Sequence, residues 1–255
     1  MQSFRLDGKH VVITGASSGF GSHFAGVLAG AGARVVLGAR RTGKVEARVG
    51  EIRAAGGEAA GAALDVRSAD SIRRFLDAAE GEFGPIDVVI NNAGVEAGAK
   101  TYMMIDEEDW DFVLDTNLKG AWLIAKHYTE RVVANGQAGG NIVNISSITD
   151  RRTIKGQFPY AVSKGALSRM TEIMALEAAK YRIRVNALAP GWFESEMTEL
   201  MFSDQSANDF MKRNCPLGRE GHPHELDGAL LFLCSDASSY MVGQTLTVDG
   251  GWVAR

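Results

Sequence analysis

Short apolar runs alternate with longer amphipathic segments from the start of the sequence to its end. The short runs are continuously apolar, which is typical of strands buried on both faces of a sheet. The strands predicted in this way cover residues 10–13, 34–37, 59–64, 86–90, 141–145, 183–188 and 244–248. Because helices separate successive strands, we predict an α/β fold with a parallel sheet and helices on both faces.

The amphipathic segments predict helices whose ends are marked by glycine, proline or serine. A glycine-rich turn after the first strand opens a helix that continues to residue 32, and Ser68 is predicted to cap a helix that ends near Phe83. The other predicted helices cover residues 45–55, 107–133, 159–180 and 224–235. No linker or shift in composition divides the chain, so we expect residues 1–255 to form a single domain.

Residues 192–216 interrupt the alternation, because they contain no clear strand and are rich in methionine and phenylalanine. We expect this segment to be a loop or a helical lid over a ligand. Its large apolar residues are Trp192, Phe193, Met197, Leu200, Met201, Phe202, Phe210 and Met211. Any one of them is at least as well explained by packing of the lid against the body of the protein as by contact with the ligand.

Composition and charge narrow the class of protein. Of the 255 residues 45% are hydrophobic and 23% are charged, which are ordinary values for a globular protein. The net charge is −4 and there is no basic run, so we expect no nucleic-acid partner and no membrane partner. Two cysteines, Cys215 and Cys234, are far apart and not in a metal-binding spacing, so we expect reduced thiols, no metal site and a cytoplasmic location.

The first predicted strand is followed by Thr14-Gly15-Ala16-Ser17-Ser18-Gly19-Phe20-Gly21 and then directly by a helix. Glycines let the backbone approach a pyrophosphate closely, and the free N–H groups and dipole of a helix N-terminus stabilise its negative charge. Glycine spacing is weak evidence by itself in a chain with 30 glycines. Its place between a strand and a helix makes a dinucleotide site the better interpretation.

Several motifs occur together in one order along the chain: TGxxxGxG at Thr14, Asn91-Asn92-Ala93-Gly94, a serine before Tyr160-xxx-Lys164, and Pro190-Gly191. As a set, from Leu6 to Trp252, they resemble the short-chain dehydrogenase/reductase family, in its compact branch that includes 3-oxoacyl reductases. The resemblance implies one doubly wound, seven-stranded parallel sheet of the Rossmann type and a homotetramer. The cofactor-binding residues it implies are Gly15, Ser17, Ser18, Phe20, Gly21, Arg40, Arg41, Asp65, Val66, Asn92, Ala93, Gly94, Tyr160, Lys164, Pro190, Gly191, Phe193 and Ser195.

The residue at the end of the second strand distinguishes the two nicotinamide cofactors. An acid there accepts hydrogen bonds from the ribose 2′-hydroxyl of NAD, whereas an arginine accommodates the 2′-phosphate of NADP. Here Ala39 occupies the acid's place, and Arg40 and Arg41 follow it. Many NADP-preferring relatives also have a basic residue where this chain has Ser18. We expect NADP(H) as the cofactor, with NAD(H) as the alternative.

Tyr160 and Lys164 are four residues apart on a predicted helix and therefore share one face. A nearby ammonium group, together with the positive ring of oxidised nicotinamide, is expected to lower the pKa of the tyrosine from its usual value near 10. The phenol can then exchange a proton with a carbonyl or alcohol oxygen.

The family resemblance adds two residues to this pair. Its spacing to the tyrosine selects Ser147, rather than Ser146, to hydrogen-bond the substrate oxygen. It also implies that Asn117 kinks the long helix and holds a water that leads to Lys164. The same resemblance places the hydroxyl of Ser195 on the carboxamide of the nicotinamide.

These residues predict an oxidoreductase that interconverts a ketone and a secondary alcohol by hydride transfer. Residues 95–100, residues 148–158 and the lid are expected to form the pocket walls, and the apolar lid favours a fairly hydrophobic substrate. One alternative is a reductase of 3-oxoacyl groups on an acyl carrier protein or coenzyme A. Such a carrier is acidic and needs a basic landing surface. Those reductases commonly have a basic run before the serine strand, where residues 134–140 of this chain have none, but Arg151, Arg152 and Lys155 could serve instead. A non-catalytic dinucleotide sensor is the alternative of another class.

Overall fold

The computed structural model describes residues 4–194, 198 and 205–255. Seven parallel strands form one sheet in the order β3-β2-β1-β4-β5-β6-β7. In chain order, strands β1 to β7 are His10–Thr14, Arg34–Ala39, Glu58–Ala63, Val88–Asn91, Gly140–Ile145, Ile183–Pro190 and Thr245–Val248. The predicted seven-stranded, doubly wound parallel sheet is confirmed.

Helices cover both faces of the sheet. In chain order, α1 to α8 are Gly19–Gly30, Thr42–Ala54, Ala69–Phe83, Glu107–Leu114, Gly120–Ala134, Phe158–Ala178, Gln205–Asn214 and Asp227–Cys234. The predicted cap of α3 is present, since the Ser68 side chain accepts a hydrogen bond from the Ser71 amide at 3.2 Å. No helix in the described ranges is both long and apolar enough to cross a membrane.

Alternate residues of a strand enter different hydrophobic cores, because successive side chains point to opposite faces of the sheet. In β1, Val11 and Ile13 belong to the core under α1, α2 and α8. Val12, between them, belongs to the core under α3, α5 and α6. Burial on both faces is the physical reason that the strands are continuously apolar.

The strand order reverses between β1 and β4, which continue in opposite directions across the sheet. Ligands of open α/β sheets bind in the crevice that such a reversal leaves at the carboxyl ends of the strands. The glycine-rich turn follows β1, and the Asn92-Ala93-Gly94 segment follows β4. The topology therefore brings these two motifs together at one edge.

The helix predicted over residues 107–133 is interrupted. Between α4 and α5, Asp115–Lys119 form a π-helical turn. A π turn inserts one extra residue into a helix and changes the direction in which the following side chains point. Asn117 lies in this turn and is buried. A kink at Asn117 was implied by the family resemblance, whereas the hydrophobic pattern predicted one regular helix.

The segment predicted as a lid contains α7 in its described part, where Met211 is buried. Trp192 and Phe210 pack edge-on against Trp252, with ring centroids 5.5 and 6.0 Å away. Arg152 lies over the ring of Trp252 and donates to its carbonyl oxygen at 2.6 Å. This part of the segment therefore packs against the C-terminus. The predicted residues Ser195, Met197, Leu200, Met201 and Phe202 lie outside the described residues.

Candidate active site

A cleft of about 680 Å³ opens where β1, β2, β4, β5 and β6 reach their carboxyl ends. Most of the predicted cofactor-binding and catalytic residues line it together. These are Gly15, Ser17, Ser18, Phe20, Arg40, Arg41, Asp65, Val66, Asn92, Ala93, Gly94, Ser147, Tyr160, Lys164, Pro190, Gly191 and Phe193. Gly21 and Asn117 do not line the cleft themselves but support residues that do.

The two motif glycines Gly15 and Gly21 are required by close backbone packing. Gly15 has φ +68°, and a Cβ there would lie 2.7 Å from the Cα of Ala93. A Cβ on Gly21 would lie 2.5 Å from Nδ2 of Asn92. The Asn92 amide in turn donates to the carbonyl oxygens of Thr14 and Gly15 at 2.9 and 3.2 Å. Asn92 therefore holds the two cofactor motifs against each other.

The N-terminus of α1 faces the cleft through Gly19 and Phe20. Its first turn contains no acidic residue, and the Ser18 side chain makes no capping hydrogen bond. The first N–H groups of the helix are therefore available to an anion in the cleft.

The adenosine end of the cleft is basic and lacks a carboxylate on β2. Ala39 ends β2 and is buried at the cleft wall, while Arg40 is exposed beside it. Arg41 donates from Nε to the Ser17 hydroxyl at 3.1 Å and also contacts Ser18. Arg41 thus brings a positive charge to the glycine-rich turn, in which Ser18 stands where many NADP-preferring relatives have a basic residue.

Asp65, which was expected at the adenine, lines the cleft but has a partner of its own. Its carboxylate pairs with Arg67 at 2.8 Å, and this bond holds the pKa of Asp65 below its usual value. The pair orients Asp65 at the end of β3. Arg67 was not predicted, because sequence alone does not indicate that it turns back onto a residue two positions earlier.

Tyr160 and Lys164 face the cleft from one side of α6, with Nζ of Lys164 5.6 Å from the centroid of the tyrosine ring. Burial lowers the pKa of Lys164 to about 8, and its ammonium donates to the Ile145 carbonyl at 2.7 Å. Burial raises the pKa of Tyr160 to about 12, although a hydrogen bond from Ser147 acts in the opposite direction. The protein by itself therefore raises the pKa of Tyr160, whereas the sequence predicted that it would be lowered. The desolvation of the phenolate outweighs the effect of the available hydrogen-bond donors.

The two serines after β5 have different partners. Ser146 bonds the Ser168 hydroxyl at 2.7 Å and the Lys164 carbonyl at 3.2 Å. Ser147 accepts a hydrogen bond from the Thr149 amide and contacts Tyr160. Its position beside the phenol favours Ser147 for contact with the substrate oxygen, as the spacing suggested.

The Asn117 side chain forms hydrogen bonds through both its amide nitrogen and its amide oxygen. Its amide nitrogen donates to the Val95 carbonyl at 2.9 Å and to the Ser163 hydroxyl at 3.0 Å. Its amide oxygen accepts from the Val95 N–H at 2.8 Å. The side chain therefore fixes the start of the pocket wall after β4 and joins it to α6.

The pocket walls differ from those expected. Val95, Glu96 and Gly98 line the cleft, but residues 148–158 do not contribute to it. Of the described apolar lid residues, Phe193 alone lines it, because Trp192, Phe210 and Met211 pack around Trp252 instead. Phe112 and Thr116 of the interrupted helix line the cleft and were missed. The spacing of apolar residues could indicate that this helix has a buried face. It could not indicate which end of the helix meets a ligand.

Comparisons with known proteins agree with this architecture. A family model described as Enoyl-(Acyl carrier protein) reductase matches residues 15–253. Gluconate 5-dehydrogenase of Gluconobacter oxydans is 37% identical, over 97% of this chain and 96% of that protein. The 3-oxoacyl-[acyl-carrier-protein] reductase of Thermotoga maritima is 38% identical, over 98% and 99% respectively.

A crystal structure of gluconate 5-dehydrogenase from Burkholderia cenocepacia in complex with NADP and tartrate superposes with a TM-score of 0.95. The two chains are 36% identical, and the match covers 100% of this chain and 98% of that one. Sequence motifs, fold and relatives thus lead to one conclusion. The chain belongs to the short-chain dehydrogenase/reductase family.

Proposed function

We propose that this protein is an NADP(H)-dependent oxidoreductase that interconverts a ketone and a secondary alcohol by hydride transfer. The observation that carries the proposal is the convergence of Ser147, Tyr160 and Lys164 at the inner end of one cleft, whose other end is the glycine-rich turn. The relatives described above are named as dehydrogenases and reductases, and one was crystallised with NADP.

The residues of the cleft fit NADP(H). The close packing of Gly15 and Gly21 against the Asn92 segment brings backbone N–H groups within reach of a pyrophosphate. Arg40, without an acid at Ala39, suits the 2′-phosphate. Lys164 and Phe193 line the cleft, which supports the proposed contact of Lys164 with the nicotinamide ribose and of Phe193 with the nicotinamide end. When bound, the reduced cofactor supplies the hydride that adds to the carbonyl carbon.

Proton transfer falls to Tyr160. Its phenol donates a proton to the carbonyl oxygen during reduction and becomes a phenolate, and in the oxidative direction the phenolate accepts the proton of the alcohol. The Ser147 hydroxyl donates a hydrogen bond to the same substrate oxygen and orients it toward the phenol.

Reduction of a 3-oxoacyl group on an acyl carrier is the second candidate, favoured by the 38% identity to the Thermotoga maritima reductase. The basic surface available to an acidic carrier is smaller than the sequence suggested. Arg152 is bound to the Trp252 carbonyl and also contacts Asn214, whereas Arg151 and Lys155 are exposed. Faster turnover of a 3-oxoacyl-carrier substrate than of the matching free ketone would select this candidate.

The proposal is tested by following NADPH consumption with cyclic, aryl and 3-oxoacyl ketones, with NADH in parallel. Tyr160→Phe is expected to lower kcat about 100-fold or more, the usual contribution of a general acid. Tyr181→Phe is the matched control, because Tyr181 lies beyond the end of α6 and outside the cleft lining. Equal turnover by Tyr160→Phe and the wild type would overturn the proposed chemistry.

We further propose that residues 1–255 form a single domain, that four copies associate and that the protein is cytoplasmic. One sheet containing strands from His10 to Val248 supports the first point. Exposed apolar side chains on α5 and α6, among them Trp122, Ile173 and Leu176, support association. Two free buried cysteines suit a reducing compartment.

A further inference from the structure

Glu96 places a carboxyl group at the inner end of the cleft. It lines the cleft together with Ser147 and Tyr160. The negative charge of Glu96 is one of the causes that raise the pKa of Tyr160, so the carboxyl group and the phenol interact electrostatically. A ligand in this cleft whose carbonyl oxygen meets Tyr160 shares the space that the Glu96 carboxyl group lines.

The backbone leading to Glu96 is fixed. The residue before it, Val95, is held at its N–H and its carbonyl by the Asn117 amide, at 2.8 and 2.9 Å. A carboxyl group that follows a backbone held in this way is pre-organised to recognise a ligand group.

Glu96 has no cationic partner among the residues that the structure describes. Lys100, four positions later, forms an ion pair with Asp109. Lys164 donates to the Ile145 carbonyl at 2.7 Å. Burial without a neighbouring cation raises the pKa of Glu96 above its ordinary value. A partly buried carboxylate of this kind is stabilised by any donor that a ligand brings to it.

We propose that Glu96 determines substrate specificity by accepting a hydrogen bond from a hydroxyl group next to the reacting carbonyl and by excluding a carboxylate there. This rests on the proposed function and specifies its substrate class as neutral hydroxyketones and the corresponding diols. An ionised carboxyl group accepts hydrogen bonds only, so it attracts a hydroxyl and repels an anion. Gluconate, for which two of the relatives described above are named, is an anion and lies outside this neutral class.

The kinetic test compares three aryl ketones that differ only in the group beside the carbonyl: acetophenone, 2-hydroxyacetophenone and phenylglyoxylate. At pH 8 the wild type is expected to prefer the hydroxyketone to acetophenone about tenfold in kcat/KM, the effect of one charge-assisted hydrogen bond. Glu96→Gln should reduce the ratio of kcat/KM for 2-hydroxyacetophenone to that for acetophenone about fivefold. It should raise the ratio of kcat/KM for phenylglyoxylate to that for acetophenone about tenfold. Glu46→Gln, on the exposed side of α2, should leave both ratios unchanged.

A binding test does not depend on turnover. Titration of the NADPH-loaded protein with 1-phenylethanol, 1-phenyl-1,2-ethanediol and mandelate, followed by NADPH fluorescence, should give the tightest Kd for the diol and the weakest for mandelate. In Glu96→Gln, the Kd values of the diol and of mandelate should both lie closer to the Kd of 1-phenylethanol. If the diol preference is present but no ketone is reduced, the proposed function fails and the role of Glu96 stands. Unchanged ratios in Glu96→Gln, or a wild-type preference for the carboxylate, would overturn that role.

Discussion

Tyr160 and Lys164 lie one helical turn apart, yet burial shifts their pKa values in opposite directions. Desolvation disfavours the charged form of each group, so it raises the pKa of the phenol to about 12 and lowers that of the ammonium to about 8. Sequence spacing predicted that the two groups share a face. It could not predict the extent of their burial, on which the size and direction of these shifts depend.

The buried lysine makes stability depend on pH. Between pH 8 and 10 the unfolded chain holds a proton on Lys164 that the folded protein has released, so the free energy of unfolding is expected to rise with pH. Between pH 10 and 12 Tyr160 acts in the opposite sense, because the folded protein retains its proton.

Lys164→Met should remove the rise caused by Lys164. We expect the free energy of unfolding to change by about 1 to 2 kcal/mol less between pH 7.5 and 9.5 than in the wild type. Urea unfolding followed by circular dichroism measures this, with Lys212→Met on the exposed face of α7 as the control. A pH dependence that survives in Lys164→Met would assign it to another group.

Ala39 is the residue that most directly tests cofactor choice. An aspartate at this buried cleft position would repel a 2′-phosphate and accept hydrogen bonds from a 2′-hydroxyl. Ala39→Asp is expected to lower the ratio of kcat/KM with NADPH to that with NADH about 100-fold, roughly 2.7 kcal/mol.

The control for Ala39→Asp is Ala63→Asp, which adds the same charge on the neighbouring strand. Ala63 pairs with Ala39 in the register of β2 and β3 but does not line the cleft. An equal change of cofactor preference in both variants would show that net charge, rather than position, governs the choice.

At the scale of elements, the π-helical turn Asp115–Lys119 decides where the long helix meets the cleft. It places the Asn117 side chain against the Val95 backbone and Ser163, and so joins three chain segments. Phe112 and Thr116, just before and within the turn, line the cleft. A regular helix of the same sequence would present different faces before and after this point.

Asn117→Ala is expected to lower the free energy of unfolding by about 1 to 3 kcal/mol, because it leaves the buried Ser163 hydroxyl and the partly buried N–H and carbonyl of Val95 without this partner. Asn117→Asp retains the acceptor for the Val95 N–H but loses both donations and buries a carboxylate against the Val95 carbonyl, so it should be at least as unstable as Asn117→Ala at neutral pH. Urea titration measures both. Asn135→Ala, at the exposed end of α5, serves as the control. Wild-type stability in Asn117→Ala would contradict the structural role.

At the scale of the whole molecule, α5 and α6 cover one face of the sheet and still expose large apolar side chains. Leu176 is 80% exposed and Ile173 50% exposed on α6, with Trp122 45% exposed on α5. Exposed apolar side chains of this kind are typical of association sites, and they support the proposed tetramer.

Leu176→Glu should therefore dissociate the proposed tetramer, because it introduces a charge into an apolar contact. Light scattering is expected to give four times the chain mass of 27.3 kDa for the wild type and a smaller mass for the variant. Leu217→Glu changes an exposed leucine outside the two helices and should keep the wild-type mass. A monomeric wild type would contradict the tetramer itself.

Local pattern was sufficient for most of the fold. The positions of the strands along the chain and the cap of α3 depend on hydrophobic periodicity and on local hydrogen bonding, both of which are visible in neighbouring residues. The composition of the lid was less informative. Met211 and Trp192 are apolar because they pack beside Trp252, and a hydrophobic side chain does not indicate whether its partner is a ligand or the protein itself.

The sequence by itself determined the α/β class and the strand–glycine turn–helix motif, and it predicted Ser147, Tyr160 and Lys164 as the proposed catalytic residues, because each depends on the types and spacing of residues close together in the chain. Only the tertiary structure decided the partner of Arg152, the burial of Lys164 and the position of Glu96 beside Tyr160. These properties depend on contacts between segments far apart in the chain, and such contacts fix burial, partners and hence charge.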